Sequence, residues 1–470
     1  MTDPTIEVWD GPSDEVYVAD VLIIGAGGCG LTAAVAACDA GAEVVVLEQS
    51  KTPLGTTSMS TGLIPAAGTP EQHAENIADN PKQFFTDIMA KNKSGADPVI
   101  VERLCEISAD TVRWLRDDHH VPLTLVEGFT YPGHSARRMY GTHNRTGEEL
   151  MAALETAAAA AGASVLTEAT ATTLLVDENN SVKGVRYMRP GGSAEEIGCH
   201  ALVLACCGFA ANAELVSKYI PELEYAVPHT HSASQGIATT WGERIGAQIA
   251  NMDAYQGHAG LAAGHSIPIL WPSIMEGGVQ VNRDGKRFSN EARGYSEQAA
   301  TVLAQPQRTV WSIFDERVEN VLSQFNDYRD AKSAGAIIRA EDLASLAHAI
   351  GVDLSALEAT FATVDDAIET GTPDPFGRTF EPRHKLAPPY LAVKVTGAIF
   401  HTQGGLCIDV DARVLRQDGS AFSNLFAGGG AARGISGSGA AGYLAGNGLL
   451  TATSLGRIAG EQAARLSQNV

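Results

Sequence analysis

Short apolar runs alternate with longer segments of small and polar residues, and the clearest example lies near the start of the chain. The run Val21–Ile24 meets a glycine-rich turn, an alanine-rich segment follows, and a second apolar run lies between Glu43 and Glu48. A short apolar run bounded by a turn is typical of a buried strand, and the segment between the two runs has the length of a helix. The pattern from Val18 to Glu48 therefore predicts a βαβ unit.

The turn inside this unit has the glycine spacing of a dinucleotide-binding motif, Gly25-Ala26-Gly27-Gly28-Cys29-Gly30. In such a motif Gly25 permits the tight turn, Gly27 lets the backbone approach a pyrophosphate, and Gly30 lets helix and strand pack closely. Glu48, at the end of the second strand, is placed to accept hydrogen bonds from an adenosine ribose. Together these features predict a dinucleotide-binding site.

Later segments return the chain to the first sheet. Ser181–Tyr187 has the pattern of a strand and Ala201–Ala205 that of a fully buried strand. The stretch from Asn424 to Leu466 contains a strand, a glycine-rich turn and a Gly/Ala-rich helix. We therefore expect the C-terminal segment to complete the first domain.

The pattern changes in the middle of the chain. It predicts a hairpin around Asp284–Gly285 and amphipathic helices between Ser296 and Glu369. We interpret this part as an inserted second domain. The predicted organisation is a first domain over residues 1–250, an inserted domain over 251–388, and a return to the first domain over 389–470.

Composition and charge limit the partners. The chain has 470 residues, of which 44% are hydrophobic and 19% charged, as expected for a globular protein long enough for two domains. Its net charge of -22 repels phosphate backbones and anionic lipids, so we expect a small-molecule partner and no nucleic acid. The acidic N-terminus and the lack of long apolar runs predict no membrane span and a cytoplasmic location. The seven cysteines include no C-x-x-C pair, so no metal, iron–sulfur or haem site is predicted.

Nearly the whole chain then resembles one superfamily of flavoproteins, which includes the soluble fumarate reductases, flavocytochrome c and the 3-ketosteroid dehydrogenases. The segments that carry this resemblance are the glycine turn with Glu48, Thr56–Gly62, Leu202–Phe209, Val281–Glu291, His401–Gly405 and Tyr443–Leu450. The resemblance implies an α/β fold, with a Rossmann-like FAD-binding domain of the glutathione-reductase type and an inserted α+β capping domain.

The resemblance also implies how FAD is held. Relatives with covalent flavin use a histidine in the first loop, and none stands between Leu54 and Gly62, so noncovalent FAD is implied. The implied cofactor-binding residues are Gly25, Gly27, Gly28, Gly30, Glu48, Gln49, Thr57, Ser58, Ser60, Thr61, Gly62, Gly208, Gly428, Gly429, Asn447 and Leu449.

Two tyrosines distinguish this chain from the fumarate reductases. Those enzymes have an arginine proton donor four residues after the Glu of an Asn-Glu pair, and here that position is Tyr295. A second arginine of the reductases, which binds a carboxylate, is replaced by Tyr443. Without these cations a dicarboxylate loses its bidentate partners, which argues against fumarate as the substrate.

The same two positions resemble those of the ketosteroid dehydrogenases. Removing two hydrogens beside a ketone takes a proton from the α-carbon and a hydride from the β-carbon, and charge develops on the ketone oxygen. The resemblance implies that Tyr443 and the N–H of Gly446 or of a neighbouring residue stabilise this charge, and that Tyr295 accepts the proton, with Arg293 or Tyr131 assisting. Tyr295 could instead be a packed surface tyrosine, and Tyr443 could instead pack beneath the flavin.

Other candidates leave the substrate class open. His258 and His401 resemble substrate-binding histidines of the fumarate reductases, and each could bind a carbonyl or a carboxylate or serve as a structural histidine. Arg433 could bind flavin phosphate, a substrate carboxylate or a surface acid. The Arg137-Arg138 pair could lie at the mouth of the pocket and attract an anionic substrate, but a basic pair is more often a solvated face, and we interpret it so. Gly429 stands where the reductases often have a glutamate, so backbone contact with FAD is expected there.

The sequence thus predicts an FAD-dependent dehydrogenase that forms a C=C bond conjugated to the carbonyl of a cyclic ketone, either a 3-oxosteroid or a smaller oxocyclohexane, and passes electrons to an external acceptor. One alternative is a fumarate-reductase-like flavin reductase of an activated C=C in an unsaturated acid, which would need an external donor. The other is a flavoprotein subunit that mainly relays electrons or binds a partner.

Overall fold

The computed structural model describes residues 4–9, 11, 16–127 and 130–468. Residues 1–3 and Asp10 of the acidic N-terminus lie outside this part. The chain divides into two compact units. Unit 1 comprises Met1–Ile220, Thr230–Tyr255 and His401–Val470, and unit 2 comprises Pro221–His229 and Gln256–Phe400.

The strands of the described residues, in chain order, are β1 (Thr5–Val8), β2 (Val18–Ile24), β3 (Val44–Leu47), β4 (Ile64–Pro65), β5 (Thr124–Leu125), β6 (Met139–Gly141), β7 (Ser164–Leu166), β8 (Thr170–Val176), β9 (Val182–Met188), β10 (Ala194–Leu204), β11 (Val227–Pro228), β12 (Ile249–Ala250), β13 (Tyr255–Ala262), β14 (Val279–Val281), β15 (Thr309–Asp315), β16 (Ile337–Ala340), β17 (Tyr390–Thr402), β18 (Gly405–Leu406), β19 (Arg413–Leu415) and β20 (Ala421–Ala427).

The α-helices of the same residues are α1 (Gly28–Asp39), α2 (Pro70–Ala74), α3 (Pro81–Lys91), α4 (Pro98–Asp117), α5 (Gly147–Ala161), α6 (Ala213–Tyr219), α7 (Ile237–Ile245), α8 (Pro272–Met275), α9 (Tyr295–Leu303), α10 (Glu316–Leu322), α11 (Asn326–Ser333), α12 (Leu343–Ile350), α13 (Leu354–Thr370) and α14 (Asn447–Ser467).

Unit 1 is built on a sheet whose centre is parallel. In the described part of the chain its order is β1-β8-β9-β10-β2-β3-β7, and β20 pairs with β10 and with β19. The parallel neighbours β3, β2 and β10 form the predicted βαβ sheet. Their apolar runs are continuous because α1 and α14 bury them. The C-terminal strand β20 runs parallel to β10 and so belongs to the same sheet.

Helices α1 and α14 pack closely because small residues meet at their contact. A Cβ at Gly460 would clash with the carbonyl oxygen of Ala33, and one at Gly456 would lie 2.5 Å from the carbonyl oxygen of Cys29. This contact brings the first turn of α1 and the body of α14 into one layer of unit 1.

Unit 2 has its own sheet and its own core. Its strands are ordered β11-β17-β15-β14, and β13 and β16 also pair with β17. Helices α9 to α13 supply the amphipathic helices expected between Ser296 and Glu369. This unit begins at Gln256, inside the range predicted from 251, and ends at Phe400, beyond the predicted end at 388. The separate segment Pro221–His229 also belongs to it.

The hairpin predicted around Asp284–Gly285 is wrong. The turn itself forms, with Gly285 at φ +70°, but β14 pairs with the distant β15 and no strand follows the turn. The physical reason lies in the next residues, because Arg287 turns inward to a buried ion pair with Glu291. A buried charge must keep its partner, so this segment has an irregular backbone.

The residues that the structure describes include neither a membrane-spanning helix nor a metal-binding cluster. Their helices include none with both the length and the apolar character needed to cross a membrane. Their His, Cys, Asp and Glu side chains do not cluster in a way that could hold a metal ion.

Candidate active site

The glycine turn between β2 and α1 gives each glycine a distinct environment. Gly25 has φ +99°, and a Cβ there would lie 2.7 Å from the carbonyl oxygen of Ala205. A Cβ at Gly30 would clash with the carbonyl oxygen of Gly25, so both glycines serve the packing of strand and helix. At Gly27 the nearest atom to such a Cβ is the Cα of Gly55, at 3.8 Å. Gly27 therefore leaves room beside the first turn of α1, where helix N–H groups attract phosphate.

Glu48 is buried at the end of β3, with 5% of its surface exposed. Its Oε2 accepts a hydrogen bond from the N–H of Ala26 at 2.9 Å, and its Oε1 accepts one from the N–H of Ser50 at 2.8 Å. These bonds fix the carboxylate beside the glycine turn. Each carboxylate oxygen keeps lone pairs that a ribose hydroxyl can reach as donor. Gln49 lies half-buried next to it.

The loop after β3 forms a short 3₁₀ turn over Thr56–Met59. The hydroxyl of Thr57 accepts a hydrogen bond from the N–H of Gly28 at 3.2 Å. The hydroxyls of Ser58 and Ser60 are used within the loop, since they donate to the carbonyl oxygens of Gly55 and Thr57. Thr57 therefore links this loop to the first turn of α1.

Ser60 and Thr61 shape the end of the same loop. The hydroxyl oxygen of Ser60 accepts a hydrogen bond from the N–H of Gly62, which has φ +65°. The side chain of Thr61 is hydrogen-bonded to the hydroxyl of Tyr131. Burial raises the pKa of Tyr131 to about 12, so this hydroxyl keeps its proton at neutral pH.

The remaining glycines predicted to contact FAD lie at close approaches of the backbone. A Cβ at Gly428 would lie 2.7 Å from Sγ of Cys29, and one at Gly429 would lie 3.1 Å from Cβ of Cys29. A Cβ at Gly208 would clash with the hydroxyl of Thr402. These glycines let the ends of β20 and β10 approach their neighbours within unit 1.

Asn447 and Leu449 lie in the first turn of α14. Asn447 is fully buried, and its Oδ1 atom has no hydrogen-bond partner within the described chain. A buried acceptor of this kind needs a donor. This unsatisfied oxygen and the open space at Gly27 both fit a bound FAD, which offers a pyrophosphate and ring N–H groups.

Tyr443, His401 and Gly446 come together in unit 1 at the start of α14. The rings of His401 and Tyr443 lie 5.5 Å apart and nearly perpendicular. The backbone N–H groups of Gly448 and Gly446 are hydrogen-bonded to the Tyr443 oxygen. Burial raises the pKa of Tyr443 well above the usual value of about 10, so its hydroxyl stays protonated and can donate. That the N–H of Gly446 or of a neighbouring residue contacts the substrate ketone stays a prediction.

His401 is buried, and its Nδ1 lies 2.8 Å from Nε2 of Gln403 and 3.3 Å from the carbonyl oxygen of Thr402. Burial lowers the pKa of His401 to about 4, so the imidazole is neutral near pH 7. A Cβ at Gly448 would lie 2.8 Å from Nε2 of His401 and 3.6 Å from the Tyr443 oxygen. The imidazole Nε2 and the tyrosine hydroxyl therefore lie at the same turn.

Unit 2 holds the other two candidates in an aromatic cluster. The ring of Tyr295, the first residue of α9, lies 5.3 Å from that of His258 and 6.2 Å from that of Trp271. His258 stacks on Phe400, with ring centres 4.9 Å apart and planes 8° from parallel. Arg293, considered above as an assistant to Tyr295, is exposed.

His258 is neutral, and its tautomer follows from one contact. Its Nδ1 accepts a hydrogen bond from the backbone N–H of Gly260 at 3.1 Å, so the proton lies on Nε2. Burial, and then the nearby His229, lower the pKa of His258 to about 3. The imidazole can therefore donate through Nε2.

Sequence reasoning missed a buried ion cluster in unit 1. Arg138 was interpreted as part of a solvated face, and this is wrong: its side chain is buried and forms a bidentate pair with Asp79. Only Arg137 is at the surface, where it pairs with Glu75. The partners of Arg138 are distant in sequence, so no local pattern signalled them. Nη1 of Arg433 lies 3.7 Å from Oδ2 of Asp97, an acid that the sequence analysis had not named.

Comparison with known proteins gives matches along nearly the whole chain. A family model described as "FAD binding domain" matches residues 20–449. The fumarate reductase (cytochrome) of Shewanella frigidimarina is 29% identical over 459 residues, which cover 97% of this chain and 78% of that protein.

Two solved structures extend this finding. A flavocytochrome c3 fumarate reductase in its open conformation has a TM-score of 0.83 and 28% identity, covering 98% of this chain and 82% of that one. The 3-ketosteroid-Δ4-(5α)-dehydrogenase of Rhodococcus jostii RHA1, in complex with 4-androstene-3,17-dione, has a TM-score of 0.76 and 25% identity, covering 98% of this chain and 99% of that one. These matches confirm the resemblance, the fold class and FAD as the cofactor. The chain belongs to the FAD binding domain family and is an FAD-dependent oxidoreductase.

Proposed function

We propose that this protein is a dehydrogenase that forms a C=C bond conjugated to the carbonyl of a cyclic ketone, either a 3-oxosteroid or a smaller oxocyclohexane. The observation that carries the proposal is Tyr443, a protonated hydroxyl buried at the first turn of α14 beside the neutral His401. Neutral donors suit an oxygen that is uncharged in the substrate and gains charge during the reaction.

A bound FAD would supply the acceptor for the hydride of the β-carbon. The α-proton leaves to Tyr295, the residue that the family pattern assigns as base, which accepts it as a phenolate and becomes a phenol. Charge then develops on the ketone oxygen, and the Tyr443 hydroxyl stabilises it as a hydrogen-bond donor. The substrate thus loses one proton and one hydride, and its single C–C bond becomes double. The electrons then pass to an external acceptor.

The comparisons support the proposal in part. The similar ketosteroid dehydrogenase, solved with a steroid ketone, acts on the proposed class of compound. The two tyrosines replace the arginines that a dicarboxylate needs, which separates this chain from the fumarate reductases it also resembles.

The second candidate is a reductase that reduces the C=C of an unsaturated acid. It is favoured by the similarity to a fumarate reductase and by His258 and His401, which resemble substrate-binding histidines of such enzymes. A reductase needs an external electron donor. The direction of net electron flow separates the two candidates.

The test is anaerobic flavin absorbance after the holoenzyme is mixed with saturated cyclic ketones, 3-oxosteroids and oxocyclohexanecarboxylates. Bleaching by a saturated ketone supports desaturation and identifies the substrate class. Reoxidation of the reduced enzyme by an unsaturated acid, without bleaching by any ketone, supports the reductase. A protein that mainly relays electrons would give neither result.

Two further features belong to this proposal. FAD is held noncovalently, which is supported by the lack of histidine between Leu54 and Gly62, and acid precipitation should release all of the flavin. The location is cytoplasmic, which is supported by seven cysteines that form no disulfide. Fractionation of the producing cells tests the location.

A further inference from the structure

A chain of buried polar side chains lies behind His401, and the proposed reaction does not use it. Nε2 of Gln403 lies 2.8 Å from Nδ1 of His401. The hydroxyl of Ser436 donates to Oε1 of Gln403 at 2.7 Å, and Nδ2 of Asn447 donates to the Ser436 oxygen at 3.1 Å. Gln403, Ser436 and Asn447 are 4%, 1% and 0% exposed, so water does not compete for these bonds.

The bonds have a direction because an amide nitrogen can only donate. Asn447 donates to the Ser436 oxygen, so the hydroxyl hydrogen of Ser436 goes to Gln403. The amide nitrogen of Gln403 then faces Nδ1 of His401. Nδ1 must accept this bond, and the single proton of the neutral ring lies on Nε2.

Two other arrangements are less favourable. If Nδ1 donated to the carbonyl of Thr402 at 3.3 Å, two N–H groups would face each other across the shorter 2.8 Å contact with Gln403. If the whole chain ran in reverse, the buried Asn447 would be left with an unsatisfied N–H group where it now has an unsatisfied oxygen. Buried N–H groups without partners are rarer in proteins than under-satisfied carbonyl oxygens.

The direction of these hydrogen bonds determines whether Nε2 of His401 donates or accepts a hydrogen bond with a ligand. Its Nε2 lies at the first turn of α14, near the Tyr443 hydroxyl, since both atoms crowd the same position beside Gly448. A second proton on Nδ1 would confront the Gln403 amide, so the chain also opposes the imidazolium form. His401 is thereby a neutral donor, which suits an uncharged carbonyl oxygen.

We propose that Gln403, Ser436 and Asn447 are positioning residues that keep His401 neutral with its proton on Nε2, so that His401 donates a hydrogen bond to the carbonyl oxygen of the substrate. The tautomer follows from the contacts alone, whereas the role toward a ketone rests on the proposed function. The arrangement selects an uncharged carbonyl over a carboxylate, because a carboxylate is bound more tightly by an imidazolium.

The first test is ¹⁵N NMR of the holoenzyme labelled at histidine, with His401 assigned from the spectrum of His401→Gln. Nitrogen shifts separate a protonated from an unprotonated ring nitrogen. We expect a protonated Nε2 and an unprotonated Nδ1 from about pH 6 to 8. A protonated Nδ1 in this range overturns the proposal, and this measurement needs neither a variant of the chain behind His401 nor a substrate.

The second test is Gln403→Glu, which replaces the donor facing Nδ1 by an acceptor of the same shape. The proton of His401 should move to Nδ1, where the new carboxylate accepts it, and Nε2 should lose its proton. The rate of flavin reduction by a ketone should then fall roughly 10²-fold, the scale of losing one donor to a developing oxyanion. An unchanged tautomer in Gln403→Glu overturns the proposal.

A matched variant distinguishes a role in positioning His401 from a role in folding. Ser436→Ala removes the bond that orients Gln403 but leaves its amide in place, so we expect a mixture of the two His401 tautomers with FAD still bound. A wild-type tautomer in Ser436→Ala contradicts the role of Ser436. If no ketone reduces the flavin while Nε2 is protonated, the proposed function fails and the tautomer assignment stands.

Discussion

Nε2 of His134 lies 2.9 Å from the carbonyl oxygen of Ala445, the residue that directly precedes Gly446. The other ring nitrogen lies 3.3 Å from the guanidinium of Arg138, which can only donate, so His134 carries its proton on Nε2 and donates to Ala445. Arg138 is held in turn by Asp79 and Asp87. A buried ion cluster thus anchors the turn from which α14 begins.

Arg138→Met should destabilise the protein by about 3–5 kcal/mol, because it leaves the buried Asp79 carboxylate without its partner. Urea unfolding followed by circular dichroism measures the change. The neighbouring Arg137→Met is the matched control: this arginine pairs with Glu75 at the surface, so its loss should cost at most about 1 kcal/mol. Equal effects of the two substitutions would contradict the buried pairing.

This cluster shows which contacts cannot be predicted from local sequence patterns. The βαβ unit was predicted because its strands, glycines and Glu48 lie within one short segment with local periodicity. Arg138 was misplaced because its partners Asp79 and Asp87 precede it by 59 and 51 residues, and a basic pair by itself indicates only a solvated face. A long-range pairing of charges leaves no local pattern.

The candidate site was likewise predicted only in part from the sequence. His401 and Tyr443 were found through motifs that resemble those of relatives. The bond from Ser436 to Gln403 spans 33 residues, and nothing in either segment signals it. The predicted hairpin at Asp284–Gly285 failed for a related reason, since the local turn is real but the buried partner of Arg287 decides the backbone that follows.

The free energy of unfolding should decrease as pH falls, over a pH range set by the pKa values of the buried histidines. The pKa values of His134 and His401 are lowered to about 4 and that of His258 to about 3, mainly by burial. A histidine in the unfolded chain has a pKa of about 6.5. Between these values the unfolded chain binds protons that the folded chain does not. The stability that comes from keeping these histidines neutral is therefore fully present above about pH 6.5 and is lost progressively as pH falls toward 4.

His134→Gln isolates one of these contributions, because glutamine can still donate to Ala445 but does not titrate. As pH falls from 6 to 4.5, the free energy of unfolding of this variant should rise relative to that of the wild type by about 1.4 kcal/mol for each pH unit. Urea unfolding at stepped pH measures this difference. His348→Gln, at an exposed position, controls for the loss of a surface histidine. A constant difference between His134→Gln and wild type would rule out the buried neutral imidazole.

Gly27→Ala should weaken FAD binding without unfolding the protein. A Cβ at this position meets no atom closer than 3.8 Å, and the backbone φ of -78° suits alanine. The added methyl group would occupy the space expected for the pyrophosphate. Flavin retained through gel filtration and the melting temperature of the apoprotein are the two measurements. Gly30→Ala is the contrast, since its clash with Gly25 should destabilise the apoprotein itself.

Tyr443→Phe should slow flavin reduction by a ketone roughly 10²-fold or more, because one oxyanion donor is lost while the ring still packs against His401. Stopped-flow absorbance under anaerobic conditions measures the rate, and bound flavin is quantified in the same sample. Tyr187→Phe is a suitable control, since that hydroxyl donates to Glu195 on the antiparallel strands of the unit 1 sheet. An unchanged rate in Tyr443→Phe would place this residue in packing only.

Tyr295→Phe tests the other half of the proposed reaction. The substitution removes one hydroxyl and leaves the ring that packs beside His258 and Trp271, so FAD binding and folding should persist. If Tyr295 is the base, flavin reduction by a ketone should be abolished, and so should exchange of the α-hydrogens of the ketone with deuterated solvent. Exchange isolates the proton step, because it requires no hydride transfer. Continued exchange in Tyr295→Phe, with slow flavin reduction, would assign the base to another residue and leave Tyr295 a role in packing.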